Sequence, residues 1–211
     1  MFPHFQRFRW IGVATLIAGY ALLVHHVNVT GRPSLLGAAL ALLPVFGFGF
    51  ALAVNAVTRW AGVALMGGST WLVGQWWWLI ASHAGLLFYL QDVGLVLVLA
   101  TGFGRSLLPG QKPLCVGFAE MLHGGGLAAD HERYAWRVTL AWTLYFALLA
   151  LASTVLFFLA PLPVWSFYAN FLVLPLIGLM FVGEFLVRRI VLPQAATGGV
   201  FDGLRAYLKS H

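Results

Sequence analysis

The stretch WRVTLAWTLYFALLALASTVLFFLA, residues 136–160, carries a single charge, Arg137, in twenty-five positions. About 20 apolar residues are what an α-helix needs to cross a roughly 30 Å hydrocarbon core, and soluble domains rarely need one such run. Five further blocks of the same kind occur, at about 10–27, 35–54, 60–81, 85–103 and 164–187. The spacing predicts an all-α, polytopic membrane protein: one domain, residues 1–211, built as a bundle of six transmembrane helices. A loop at about 104–135 and a short tail at about 188–211 complete it. Composition agrees, since 61% of residues are hydrophobic and only 9% charged, where soluble domains carry about 25% charged residues.

The net charge of +6 would suit a nucleic-acid partner if it formed a patch interleaved with aromatics. It flanks the hydrophobic blocks instead, so it reads as topology and nucleic acid is not an expected partner. Arg7, Arg9, Arg59, Arg105, Lys112, Arg133, Arg137, Arg188, Arg189, Arg205 and Lys209 all fall in alternate gaps, eleven of the twelve basic residues, with Arg32 alone on the other side. The positive-inside rule then places both termini in the cytoplasm of a multi-pass membrane protein. No small-residue cleavage site follows the first block, which is expected to stay as a signal anchor. Cys115 is the single cysteine, which excludes an intrachain disulfide and a cysteine-based metal cluster.

Chemistry in such a chain is sought among polar residues that cannot face lipid. Asp92 lies about seven residues into the fourth block, where a carboxyl costs a few kcal/mol unless it meets a partner or water. A tight hairpin turning near His83 would put Gln75 at nearly the depth of Asp92. Asn170, Ser153, Thr154 and Tyr20 count to a similar depth. Tyr20, Gln75, Asp92, Ser153, Thr154 and Asn170 are therefore expected to form one intramembrane polar layer. Helical phase groups Gly67, Gly68, Trp71, Gln75, Trp78 and Ser82 on one stripe, Thr139, Thr143, Ser153 and Thr154 on a second, and Ser166, Asn170, Val173, Ile177 and Glu184 on a third. All three stripes are expected to point inward. Interhelical hydrogen-bond glue is the plain reading of this layer, with a lipid pocket or proton path as the functional one.

Other signals are assigned to structure. His25 and His26 are adjacent and so poorly placed to chelate one ion; with His83 they are read as interfacial, and no metal or cofactor is assigned. Trp71, Trp76, Trp77, Trp78 and Trp165 suit an anchor belt better than a binding cage. Glu184 and Arg188 are spaced for an i, i+4 ion pair. Pro109, Gly110 and Pro113 break any helix after Arg105, so Arg105 and Lys112 are expected along lipid headgroups or against a partner's acidic surface. An amphipathic piece, residues 114–123, follows and ends at the glycines 124–126, and Asp130 is expected to cap the next helix. No Walker, Rossmann, metalloprotease or nucleophile-elbow motif occurs, so no catalytic residue is assigned.

The motifs Gly104-Arg-Ser-Leu-x-Pro-Gly-x-x-Pro-Leu114, Tyr134-x-x-Arg-Val-Thr-x-Ala-Trp142, Trp165-Ser-x-x-x-Asn170, Pro175-Leu176 and Met180-Phe-x-x-Glu184 resemble a family of small, uncharacterised bacterial inner-membrane proteins. Its members are often encoded beside the fatty-acid or polyketide-like enzymes that make aryl polyene and xanthomonadin-type pigments. The resemblance covers about residues 85–190. It implies an accessory protein for acyl-lipid or aryl-polyene-type biosynthesis that recruits soluble acyl-carrier or ketosynthase-type enzymes or handles the lipid product. Membrane lipids are the other expected partners, and a homo-oligomer fits the same reading. Two alternatives stay open: a lipid transporter or flippase component, and a membrane-embedded enzyme acting on a lipid through Asp92 with His83.

Overall fold

The computed structural model describes residues 3–31, 35–54, 59–123 and 127–192. Arg32, the glycines 124–126 and most of the expected tail, residues 193–211, lie outside the described residues. All regular structure among the described residues is helical. The helices are α1 (Pro3–Thr30), α2 (Leu35–Val54), α3 (Arg59–Gln75), α4 (Trp77–Ser82), α5 (Ala84–Ser106), α6 (Leu114–His123), α7 (Ala129–Leu159), α8 (Leu162–Phe167) and α9 (Val173–Val191), with a π-helical turn at Tyr168–Leu172 between the last two. Four stretches are long and apolar enough to cross a membrane: Ile11–Thr30, Ala84–Ser106, Ala129–Leu159 and Leu162–Val191.

The structure differs from the block reading at the ends and in the third block. That block is divided at Trp76, whose φ of −105° and ψ of 16° interrupt the helix between α3 and α4. α7 begins at Ala129, well before the apolar run, with Asp130 and Glu132 in its first turn. Carboxylates there complement the unpaired N–H groups and the positive end of the helix dipole, so the helix grows out past the apolar segment. Asp130 is thus a first-turn residue, not a cap near residue 135. The expected loop at about 104–135 shrinks accordingly, because α5 runs to Ser106, α6 fills 114–123 and α7 starts at 129. Gly31 ends α1 with a φ of 62°, and its N–H bonds the Val27 carbonyl, a left-handed stop that a side chain would strain.

The chain forms two compact units, Met1–Asp92 with Ser153–Leu172 and Val93–Ala152 with Val173–His211. In the first, Ala38 and Ala41 of α2 and Trp165 and Ser166 of α8 are fully buried. Tyr89 stacks on Phe157 with ring centroids 4.3 Å apart, and Trp165 meets the Phe157 ring edge-on at 5.1 Å. In the second, Val116 and Thr139 are buried, and Trp142 packs among Phe103, Phe146 and Phe181. Gly104 lets α5 approach α7 there, since a Cβ on it would sit 3.2 Å from the Thr143 methyl. Residue numbers pair in opposite order along α7 and α9. The Tyr134 hydroxyl bonds the Glu184 carbonyl at 3.3 Å, Trp142 contacts Phe181, and the Tyr145 hydroxyl bonds the Leu176 carbonyl at 2.7 Å. The two segments are therefore antiparallel within this unit.

Candidate functional site

The expected polar layer exists in part, as two separate clusters of the first unit. Ser153, buried on α7, donates to the Asp92 carboxyl at 2.5 Å and accepts from the Trp165 indole N–H at 3.0 Å. A hydroxyl has one proton to give, and here it goes to the carboxyl while a lone pair takes the indole. The neighbouring Thr154 shares a hydrogen bond with the Tyr89 hydroxyl at 3.1 Å. The second cluster centres on Ser166. Its hydroxyl accepts from the amides of Asn28 at 3.1 Å and Asn170 at 3.2 Å, and His25 Nδ1 lies 3.1 Å away. With both lone pairs taken, the Ser166 proton goes to His25, which fixes Nδ1 as the acceptor and leaves the ring proton on Nε2. Such a serine is held, not poised to attack. Tyr20 belongs to neither cluster, since its hydroxyl donates to the Leu40 carbonyl at 3.1 Å.

Gln75 does not join Asp92. The whole expected stripe of Gly67, Gly68, Trp71, Gln75, Trp78 and Ser82 lies on the exposed side, with Trp71 and Trp78 65% and 77% exposed. The inward side of these helices carries Val73, Ile80 and Ala81 instead, followed by Ala84 at the start of α5. Gln75 shares its phase with two indoles, and the bulky rings go outward and take it with them; small side chains such as Ala81 and Ala84 allow close helix approach. The other two stripes do face inward: Thr139 and Ser153 are buried on α7, Ser166 is buried on α8, and Asn170 and Glu184 are part-buried. Trp165 leaves the anchor belt, because it is fully buried and spends its N–H on Ser153. His83 Nδ1 contacts its own neighbours, the Ser82 hydroxyl and the Leu79 carbonyl, both at 3.0 Å. Among the described residues no three His, Cys, Asp or Glu side chains are grouped as metal ligands.

The segment after α5 is irregular, as its prolines require, and Gly110 turns it with a φ of 80°. Arg105 ends α5 and is exposed. Lys112 is committed to an ion pair with Glu120, one turn from the end of α6. Ser106 accepts from the Leu114 N–H at 3.1 Å and Thr139 from the Cys115 N–H at 3.2 Å, so the first turn of α6 is tied to both α5 and α7. Burial pushes the Cys115 thiol up, a hydrogen bond with Thr139 opposes this, and the Glu184 carboxylate adds to it.

That helix forms one wall of a cavity of about 700 Å³ within the second unit, whose other walls are the facing ends of α7 and α9. Its lining is mainly apolar, with Phe118 and Leu122 from α6, Val138 and Trp142 from α7, and Phe181 and Phe185 from α9. Four polar side chains share it: His131, Tyr134, Glu184 and Arg188. Tyr134 faces Glu184 Oε1 at 3.4 Å, and Arg188 approaches the same oxygen through Nε at 3.6 Å, the ion pair expected from the spacing. Arg188 and Arg189 both lie against the Phe185 ring, 5.9 and 5.7 Å from its centre. His131 Nδ1 is buried and has no hydrogen-bond partner, alone in this among the side-chain nitrogens and oxygens of the described residues. A volume of this size with an apolar wall and a few convergent polar groups is what small-ligand sites share.

Sequence reasoning passed over this site because it ranked residues by depth in the membrane, and the cavity straddles the ends of the apolar blocks, with Val138, Trp142 and Phe181 inside them and His131, Tyr134 and Arg188 outside. Phe118, Trp142, Phe181 and Phe185 converge there from three helices, and no local spacing in the sequence marks that convergence. Compared with known proteins, the chain matches no family model, no curated protein and no solved structure.

Proposed function

We propose that the protein is a multi-pass inner-membrane accessory protein of acyl-lipid or aryl-polyene-type biosynthesis that holds an acyl or polyene chain in the cavity between α6, α7 and α9. The observation that carries this reading is the 700 Å³ apolar cavity with polar groups confined to a few lining positions. Five of the residues in the motif resemblance, Tyr134, Val138, Trp142, Phe181 and Glu184, line it, which ties the resemblance to one place in the fold. The exposed Arg105 beside the irregular segment supplies a basic contact for lipid headgroups or an acyl-carrier protein. In this reading six segments cross the membrane: the four long ones, α2, and α3 with α4 acting as one interrupted span. Both termini and the cavity mouth face the cytoplasm, as the distribution of basic residues favours.

Lipid extraction and mass spectrometry of the purified full-length protein test the function. Bound single-chain acyl or polyene species are expected, and Val138→Trp, which fills the cavity, removes them. Extracts holding only bulk phospholipid in both proteins would overturn the reading. Reporter fusions after Arg59, in the stretch 107–113 and at His211 are all expected to report cytoplasm; a periplasmic signal at any of them would overturn the six-span arrangement.

A further inference from the structure

Resting on that reading, we infer that the occupant is a single-chain carboxylate amphiphile, with its head between Arg188 and His131 and its tail against Trp142 and Phe181. Three observations converge on it. The polar groups of the cavity collect at one end. Tyr134 and Glu184 are in contact; His131 lies three residues before Tyr134, about 4.5 Å along the axis, and Arg188 four residues after Glu184, about 6 Å in the same direction, because the helices are antiparallel. His131 and Arg188 thus share one level. At the other end, Trp142 and Phe181 pack at 4.6 Å and line the cavity with apolar rings.

The groups at the polar end suit a carboxylate. Arg188 pairs with Glu184 through Nε at 3.6 Å, a contact that leaves its terminal nitrogens to meet an incoming pair of oxygens, the fork geometry in which guanidinium binds carboxylate best. His131 Nδ1 is buried without a partner, and a ligand oxygen at that level gives it one. Within the lining itself Arg188 is the one guanidinium and Glu184 the one carboxylate. One guanidinium in the lining is enough for a carboxylate. A phospholipid brings a second tail and a larger head.

The length fits a tail of moderate size. From His131 to Trp142 is eleven residues, about 16 Å of helix. An extended carbon chain with bonds of about 1.5 Å advances about 1.25 Å per atom, so about a dozen carbons reach from the head to the Trp142 end.

The test uses the purified full-length protein in nanodiscs and a photoactivatable dodecanoate, with labelled peptides mapped by mass spectrometry and competition by dodecanoate, dodecanol and lysophosphatidylcholine. Labelling in α6, α7 and α9 is expected, with dodecanoate competing about tenfold better than dodecanol or the lysolipid. Arg188→Gln brings the acid down to the potency of the alcohol, and Arg188→Lys, which keeps the charge but not the fork, falls between; gel filtration and melting temperature verify that both variants fold. Equal competition by acid and alcohol, unchanged in Arg188→Gln, overturns the carboxylate inference while leaving the acyl cavity standing. Stronger competition by the lysolipid also overturns it, in favour of a phospholipid. Labelling that avoids all three helices overturns the acyl cavity itself.

Discussion

At Ser166 one hydroxyl serves three partners, whereas at His131 a buried ring nitrogen serves none. The two residues stand for the two units of the chain. In the first, Ser153 links Asp92 to Trp165, and the hydroxyls and amides expected to signal chemistry are used up on one another. In the second, the helices part around a large cavity and leave polar groups partly committed. Placing a carboxyl, two serines and two asparagines inside an apolar bundle is costly unless each finds a partner, and a complete set of partners fixes how the helices pack. Function needs the opposite: space and unspent hydrogen-bonding capacity. The comparison therefore moves attention from Asp92, the conspicuous residue, to the cavity.

The largest effect expected from this contrast is at Trp165. It is fully exposed to neither lipid nor water, touches Phe157 and Tyr89, and donates to Ser153. Trp165→Ala removes the ring and the donor together and should cost about 3 kcal/mol or more, read as a lowered melting temperature in detergent. Next comes Ser153→Ala, which leaves the indole N–H and the Asp92 carboxyl without their shared partner. Membrane hydrogen bonds average about 0.6 kcal/mol, but stranding buried groups raises the cost to about 1–3 kcal/mol. A Ser153→Ala protein as stable as the parent would break the claim that this cluster holds the unit together. Smaller again is Asp92→Asn. The amide keeps an oxygen to accept from Ser153, so stability should change by less than about 0.5 kcal/mol. Loss of function in Asp92→Asn with its melting temperature intact would return the first unit to candidacy as a site.

Much of the fold was legible because lipid imposes a simple rule on composition. The block at 85–103 lies within α5, 136–160 follows α7 to its end at Leu159, and 164–187 runs through α8, the π-helical turn and α9; the inward stripes that carry Thr139 and Ser166 followed from phase alone. The third block failed because two rules met on one stripe: polar side chains should turn inward and tryptophans outward, and Gln75 lies in phase with Trp71 and Trp78. Counting from the hairpin could not see the break at Trp76 either. Trp165 was read as an anchor because its place in sequence is interfacial, while its N–H finds Ser153 only through tertiary packing. The cavity was illegible for a related reason. It is made by how far α6, α7 and α9 stand apart, and no local pattern records that separation.

The smallest effect is the one that most sharpens the comparison, and it carries the opposite sign. His131 lies in the first turn of α7 and keeps its buried Nδ1 unpaired. A polar atom desolvated without a partner lowers stability, so replacing it with an apolar side chain of similar reach removes a cost instead of a bond. His131→Leu should leave the ligand-free protein within about 0.5 kcal/mol of the parent, on the stabilised side. The same exchange should abolish most of the extra stability that dodecanoate confers, because a ligand that binds only the folded form stabilises it by an amount that grows with the ratio of its concentration to Kd. Ser153→Ala in the first unit should do the reverse: lower the melting temperature without ligand and keep the shift that dodecanoate produces. Thermal melts of the three proteins with and without dodecanoate decide it. If His131→Leu falls in stability as Ser153→Ala does, with an undiminished ligand shift, then His131 is as structural as Ser166, and the division between a spent polar core and an unspent cavity is wrong.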